Sequence, residues 1–311
     1  MTVLVTGGAG FIGSHLVEAL LARGYTVRVL DDFSAGKREN LRAVQHDIEL
    51  LEGSVVDPDL CRRACAGVER VWHLAAIASV PVSVNDPIHS HAVNLTGTLH
   101  LLQAAREAGV PRFVFSSSSA VYGTNPNLPY HEETLPMPLS PYAIQKLAAE
   151  IYTRQFAALY GMETVALRYF NIFGPRQDPH SQYAGVVAAF ISTLLAGRTP
   201  TITGDGEQYR EFVYVADCVR ANLLAGFSEA REIIGGYFNI AAGYTTSINT
   251  LFSTTQQVLG THFTPGYIPE RSGDVRYSAA DSSKARAQLG FTPEWSLEDG
   301  LRETAAWYQH S

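Results

Sequence analysis

Apolar and polar positions alternate in two rhythms through the first part of the chain. Short, nearly continuous apolar runs at Thr2–Thr6, Tyr25–Leu30, Ile48–Leu51, Val68–Ala75, Arg112–Ser117 and Thr164–Arg168 predict buried strands. Between them, helical spacing predicts helices over Ile12–Ala22, Asp86–Ala108 and Ser140–Tyr160. Pro87 suits a first helical position, as does Pro141 behind Ser140, a good N-cap. Strands alternating with helices imply parallel βαβ units with right-handed crossovers. After Gly174-Pro175 the segments shorten and Gly, Pro and Thr become more frequent, as in Gly197-Arg198-Thr199-Pro200 and Gly204-Asp205-Gly206. The expected architecture is α/β: a doubly wound parallel sheet over 1–174 and a smaller C-terminal α/β lobe over 175–311, the two interleaved.

Composition narrows the partners. The 311 residues are 46% hydrophobic and 17% charged, which is ordinary for a globular chain. The formal net charge is −7 and no run of Lys and Arg stands out, which argues against a nucleic acid or an anionic membrane as the main partner. Cys61, Cys65 and Cys218 form no CxxC pair, and three is a poor number for a disulfide framework, so a reducing, cytoplasmic setting is expected. Cys61 and Cys65 lie one helical turn apart and read as helix packing. The N-terminal apolar run lacks a basic flank and is interrupted by glycines, so it reads as a strand and not as a signal peptide. No stretch approaches the roughly 18 apolar residues of a membrane span.

The first candidate chemistry is a glycine loop. Gly7, Gly10 and Gly13 sit between a predicted strand and a predicted helix, a variant of the Rossmann dinucleotide fingerprint. Gly7 permits the tight turn, Gly10 lets backbone N–H groups approach a pyrophosphate, and Gly13 lets the helix pack close to the strand. Asp31 ends the second strand, where a carboxylate accepts hydrogen bonds from ribose hydroxyls and repels a 2′-phosphate. That favours NAD over NADP. A second candidate is Tyr142 with Lys146, four apart on one helical face. An ammonium near a phenol lowers its pKa and makes it usable as a general base. The serine run Ser116–Ser119 ends a strand where open parallel sheets place ligands. His73 ends a buried strand and reads as a core histidine. His89 and His91 form no metal-binding set, so no metal is expected.

Taken in order, Gly7-x-x-Gly10-x-x-Gly13, His73-Leu74-Ala75-Ala76, Ser116–Ser119 with Val121-Tyr122-Gly123, Tyr142-x-x-x-Lys146 and Arg168-Tyr169-Phe170-Asn171 resemble the extended short-chain dehydrogenase/reductase family, in its NAD-dependent epimerase/dehydratase branch. The resemblance implies a Rossmann half holding NAD and a C-terminal lobe holding a nucleotide sugar. It makes Ser118 and Tyr142 the catalytic hydroxyls and Lys146 the tuning residue. It adds Phe11, Ile12, Asp32, Ser34, Ala35, Gly36, Ser54, Val55, Leu74, Ala75, Ala76, Asn94 and Phe170 as cofactor contacts. Ser119, Asn171, Val186, Thr201, Arg210, Arg271, Asp274 and Ser278 become substrate contacts, with Arg210 and Arg271 gripping the diphosphate through their planar forks. Ser54 departs from the acidic residue that many relatives place against the adenine amino group.

The same resemblance helps choose a reaction. Dehydratases of the family carry Thr-Asp-Glu where this chain has Ser118-Ser119-Ala120, so dehydration is disfavoured. The leading expectation is 4-epimerisation of a UDP-sugar: Tyr142 takes the C4 hydroxyl proton, the C4 hydride passes to NAD, the 4-keto sugar turns, and the hydride returns. Ser278 aligns with a gatekeeper position, where a small residue leaves room for a 2-acetamido group. Gly174-Pro175-Arg176-Gln177-Asp178-Pro179 with Tyr183-Ala184 resembles the UDP-GlcNAc/GalNAc subgroup, alongside UDP-Glc/Gal. The rivals are a UDP-glucuronate 4-epimerase, a net 4-keto reductase or dehydrogenase, and a non-catalytic NAD sensor. Asp86–Ala108 and Ser140–Tyr160 would form a four-helix-bundle homodimer.

Overall fold

The structure is a computed structural model and describes residues 1–179, 185–270 and 275–310. Its centre is a parallel sheet built from β1 (Thr2–Thr6), β2 (Thr26–Asp31), β3 (Ile48–Glu52), β4 (Arg70–His73), β5 (Arg112–Ser118) and β6 (Glu163–Tyr169). The order is β3-β2-β1-β4-β5-β6, so the chain reverses direction across the sheet between β1 and β4. A crevice at that switch point is where such sheets bind ligands. Successive β1 residues point to opposite faces. Val3 and Val5 enter one core with α1 (Phe11–Ala22), and Leu4 enters another with α2 (Pro58–Cys65), so both faces are covered. Cys61 and Cys65 are buried on α2, and burial pushes both thiols up to about 12.

Two predicted elements differ in detail. The strand expected over Val68–Ala75 is only Arg70–His73. Leu74, Ala75 and Ala76 are apolar because they line a cleft, and they leave the sheet. The helix expected over Asp86–Ala108 is preceded by a separate turn, α3 (Val80–Asn85). It then runs as α4 (Pro87–His91), a π-helical turn over Ala92–Thr96, and α5 (Gly97–Glu107). Asp86 caps it, its carboxylate accepting from the His89 N–H at 3.0 Å. The helix at Ser140–Tyr160 forms as α6 (Pro141–Tyr160), with the Ser140 hydroxyl accepting from the Ala143 N–H at 3.2 Å.

After β6 come short strands β7 (Ile172–Phe173), β8 (Thr201–Thr203), β9 (Tyr209–Arg210) and β10 (Val213–Tyr214), with helices α7 (Val186–Leu195) and α8 (Val215–Phe227). Then β11 (Gly236–Ile240) returns to the main sheet and pairs with β6 as the seventh parallel strand. The chain ends in β12 (Thr246–Ser247), α9 (Ile248–Leu259), β13 (Gly266–Ile268) and α10 (Leu297–Gln309). The helix α8 lies against the same sheet face as α1. Its last carbonyls lack partners within the helix. The sheet supplies donors instead, Arg70 Nε to Gly226 and Arg112 Nη1 to Ala225, both at 2.9 Å, and Trp72 Nε1 adds a bond to the Asn222 carbonyl one turn earlier, also at 2.9 Å.

The α8–sheet contact is tight at Gly226, where an added Cβ would stand 2.1 Å from Trp72 Cζ2. Trp72 is fully buried and has no room to retreat. Gly226→Ala should therefore destabilise the fold by about 1–3 kcal/mol, the usual cost of overpacking, despite the better helix propensity of alanine. Urea unfolding of the two proteins side by side measures it.

Candidate active site

Main-chain contact builds the cofactor end. Gly7 has a φ of +69°, and a Cβ there would meet the Ala75 nitrogen at 2.7 Å. A Cβ at Gly13 would lie 2.0 Å from the Gly7 carbonyl oxygen. The space these residues leave is a cradle that only glycine keeps open, with the N-terminus of α1, carrying Phe11 and Ile12, aimed into it. The Asp31 carboxylate is buried. It accepts from the Ala9 and Phe33 N–H groups, each at 2.8 Å, which fixes the loop after β2. Burial raises the Asp31 pKa and these hydrogen bonds lower it, leaving a net rise. Asp32 holds Ser34 through both its N–H and its hydroxyl.

The cleft between these loops is lined by Gly7, Gly10, Asp31, Asp32, Ser34, Ala35, Gly36, Ser54, Val55, Leu74, Ala75 and Ala76, all expected from sequence. Leu30, Gly53 and Val93 also line it and were missed, because nothing in their side chains signals a ligand. Ser54 opens into the cleft, its hydroxyl accepting from the Val56 N–H at 3.4 Å. Asn94 does not line it. Its side-chain oxygen accepts from the Ile77 N–H at 2.8 Å, and its amide donates to the Ile77 carbonyl and to Gln145. Asn94 thus braces the segment leaving β4 from within the π-helical turn, and its neighbour Val93 meets the cleft. The Phe170 side chain is sealed in a core with Tyr122, so only its main chain remains for a ligand.

At the C-terminal end of β5 stand the candidate catalytic groups. Ser118 is half-buried, and its hydroxyl accepts from the Ala120 N–H at 3.2 Å at the start of a 3-10 turn, Ser119–Tyr122. The Ser118 hydroxyl stands close enough to the Tyr142 phenol to influence its ionisation. Burial pushes the Tyr142 phenol up, and the Ser118 hydroxyl partly offsets that rise. The Tyr142 N–H donates to Ser83 Oγ at 3.0 Å, which ties α3 to the first turn of α6. Lys146 is buried and donates to the Ser116 carbonyl at 2.8 Å. Burial brings its ammonium down to about 7. His73 is a core histidine: its ring nitrogens meet Thr6 and Thr98 hydroxyls at 2.7 and 2.9 Å, and burial, then Lys146, lowers it to about 3.

A second cleft, of about 530 Å³, opens among the C-terminal elements, within the roughly 300–1,000 Å³ typical of small-molecule sites. Asn171, Val186, Thr201 and Arg210 line it as expected. Phe190, Gln208, Glu270 and Arg276 line it without having been expected. Arg210 donates to the carbonyls of Tyr209 and Arg276 at 2.8 and 2.9 Å and to that of Val275. Those bonds make it a clamp on the 275–276 segment as well as a cleft residue. Ser278 is buried behind this segment, its N–H donating to the Tyr209 carbonyl at 3.2 Å, and it does not line the cleft. Arg271, Asp274 and Tyr183-Ala184 lie outside the described residues. Among the described residues no group of His, Cys, Asp and Glu could hold a metal ion, and no helix is long and apolar enough to cross a membrane.

A doubly wound sheet with a glycine cradle at its switch point, an acid closing β2, and a Ser–Tyr–Lys set on β5 and α6 defines an enzyme of the short-chain dehydrogenase/reductase type. The chain belongs to the NAD dependent epimerase/dehydratase family, whose model matches residues 3–241. It is similar to a UDP-glucose 4-epimerase of Mycolicibacterium smegmatis, with 41% identity over 100% of this chain and 99% of that one. Among solved structures it resembles a Thermotoga maritima UDP-glucose 4-epimerase with UDP-glucose: TM-score 0.94, 43% identity, 100% and 99% of the two chains. It also resembles a UDP-N-acetylglucosamine 4-epimerase of Methanobrevibacter ruminantium M1 in complex with UDP-N-acetylmuramic acid: TM-score 0.95, 42% identity, 99% and 98% covered. NAD is the cofactor of the family, and the glycine cradle and the Asp31 loop fit it.

Lys146 yields a stability test. Its folded pKa, about 7, lies below the ordinary lysine value near 10.4. Below pH 7 both folded and unfolded chains carry the charge, and the full burial cost is present. Between about pH 7 and 10 the folded chain releases the proton first, so stability rises with pH. Lys146→Met should therefore be more stable than the parent in cofactor-free form at pH 6.5, with the gap narrowing toward pH 9.5, while turnover is lost. Urea unfolding at both pH values checks the narrowing.

Proposed function

We propose that the protein is an NAD-dependent UDP-sugar 4-epimerase. The observation that carries this reading is the pairing of Ser118 and Tyr142 hydroxyls beside a buried Lys146, with no carboxylate at positions 119 or 120. The names of the relatives support it, and so does a second cleft with two arginines on its wall. Bound NAD would supply the acceptance and return of a hydride at sugar C4. The chain's own residues do the rest. Tyr142 takes the proton from the C4 hydroxyl and later gives it back. Ser118 hydrogen-bonds the same oxygen and steadies the change between alcohol and ketone. Lys146, by its charge, favours the Tyr142 phenolate. Asn171, Val186, Thr201 and Arg210 hold the UDP end, joined by Arg271 and Asp274. The 4-keto sugar would turn so that C4 could be reduced on its other face while Tyr142 returns the proton to the C4 oxygen, with no net consumption of NAD.

The substrate class is UDP-GlcNAc/GalNAc, UDP-Glc/Gal, or both; the likeness to a UDP-N-acetylglucosamine 4-epimerase supports acceptance of a 2-acetamido group, whereas Ser278, off the cleft wall, does not argue for it. The decisive assay offers the purified, NAD-loaded protein single UDP-sugars with no added NAD and reads the C4 epimer. Epimer formation is expected from at least one pair, with no net nicotinamide absorbance change. Tyr142→Phe should lose about 10²–10⁴-fold in rate, the usual size of a general acid–base contribution. No turnover of UDP-Glc, UDP-GlcNAc or UDP-GlcA would overturn the reading.

We also propose a homodimer through α4–α5 and α6. Ile144, Ile151, Tyr152 and Leu159 are exposed along α6, and Ile88 is 82% exposed on α4. Ile144, Ile151 and Leu159 follow helical spacing, so they form one apolar stripe of the kind that marks an interface. The three buried free cysteines support a cytoplasmic home. Sedimentation should give about twice the 33.9 kDa chain mass. Ile151→Glu should return it to the monomer, because it places a charge at the centre of the stripe.

A further inference from the structure

Tyr142, Lys146 and Glu150 recur every four residues along α6 and so stand one above another on one helical face. Each meets a different one of three consecutive β5 serines. Tyr142 stands beside Ser118, Lys146 donates to the Ser116 carbonyl at 2.8 Å, and Ser117 Oγ donates to Glu150 Oε2 at 2.6 Å. The first two contacts belong to the reaction proposed above. The third faces away from both clefts: Glu150 has no exposed surface and Ser117 is buried.

Glu150 is held by Arg168, itself buried, through Nε at 2.9 Å and Nη2 at 2.6 Å. Arg168 sits opposite Ser117 in the β5–β6 register. Its other arm donates to the Tyr122 hydroxyl at 2.8 Å and to the Glu132 carbonyl at 3.1 Å. Tyr122 ends the 3-10 turn that begins beside Ser118, and its hydroxyl donates to Asn239 on β11 at 2.7 Å. One carboxylate is therefore tied to the helix bearing Tyr142 and Lys146, to the strand bearing Ser118, and to the turn that follows it.

We propose that Glu150 is a positioning residue: through Ser117 and Arg168 it sets the register of α6 along β5, and hence the placement of Tyr142 and Lys146 against Ser118. Buried ion pairs add little net stability, because desolvation offsets their attraction. Their bonds are directional, however, and short charge-assisted bonds fix geometry that apolar contacts leave free to slide. Ala149 and Phe156 supply the neighbouring buried apolar contacts of α6, which are not directional. The proposal rests on the epimerase reading only for the role of the two hydroxyls.

The test uses Glu150→Gln, Ser117→Ala and Ser117→Thr in the NAD-loaded protein. Ser117→Ala leaves the Glu150–Arg168 pair intact and decides the matter if Glu150→Gln fails to fold. Glu150→Gln should lower kcat about tenfold or more, because ångström-scale misplacement of reacting groups costs up to about 100-fold. Ser117→Ala should act in the same direction, Ser117→Thr should retain the parent rate, and KM should stay within about twofold throughout. A readout independent of turnover is the ultraviolet titration of Tyr142, isolated by subtracting Tyr142→Phe in each background. Its midpoint should move upward by about half a pH unit or more in Glu150→Gln and Ser117→Ala, as Lys146 and Ser118 lose alignment. Unchanged kcat per folded molecule and an unchanged midpoint in Ser117→Ala would reduce Glu150 to a core residue and overturn the proposal. If the parent turns over no UDP-sugar, the function reading fails, and the titration still decides the role of Glu150.

Discussion

The close approach of α1 to β1 sets the position of everything else at the centre of the sheet. It is a backbone constraint: a methyl group at Gly13 would fall 2.0 Å from the Gly7 oxygen, and one at Gly7 would fall against the main chain of Ala75. With both positions bare, the helix N-terminus lies directly at the switch point between β1 and β4. The loops leaving β2 and β4 then converge on it, the first through Asp31 and its bonds to Ala9 and Phe33, the second through Leu74–Ala76. Any side chain at Gly13 would push α1 outward and open a gap in the core that Leu16, Val17 and Leu20 fill. Stability and cofactor binding therefore depend on the same missing atoms.

Features written in local chemistry were legible in the sequence. The glycine spacing, Asp31, the serine run and the Tyr142–Lys146 interval each state a geometric need within a few residues, and the glycines, Asp31 and the serines lie at the C-terminal ends of β1, β2 and β5. Non-local pairing was not legible. The seventh strand, Gly236–Ile240, finds its partner β6 about seventy residues upstream in a segment with no strong period of its own. Apolar runs also misled where an apolar residue served a ligand surface, as at Leu74–Ala76. The π-helical turn at Ala92–Thr96 leaves the helical period intact in the sequence, yet it turns Asn94 inward to brace Ile77. The clamp made by Arg210 was hidden because its partners are carbonyls, which no residue type announces.

The interior carries several polar groups that an apolar core would do without. Lys146, the Glu150–Arg168 pair and the Glu211 carboxylate are all buried. Each costs desolvation, visible in the lowered Lys146 and the raised Glu211. They share one property: every one bonds to an element other than its own. Glu211 accepts from the N–H groups of Ala280 and Gly243 at 2.6 and 2.8 Å, joining two loops of the C-terminal lobe. Net stability is a small difference between large terms, so such groups persist where placement matters more than a few kcal/mol of stability.

This division of fixed and free parts bears on the reaction proposed. An epimerase must hold the nucleotide end of its substrate while the sugar presents first one face and then the other. The C-terminal cleft is suited to holding, because its wall is pinned to the main chain from both sides. Arg210 binds the carbonyls of residues 275 and 276, and Glu211 binds the N–H of residue 280. At the other end the groups assigned to the chemistry are two hydroxyls, Ser118 and Tyr142. A hydroxyl rotates and both donates and accepts, so it can serve an alcohol, a ketone and the inverted alcohol in turn. Charged forks at that end would favour one orientation of the sugar and slow the other. Rigid recognition in the lobe and adaptable bonding on β5 and α6 together let one site serve both faces of the same carbon.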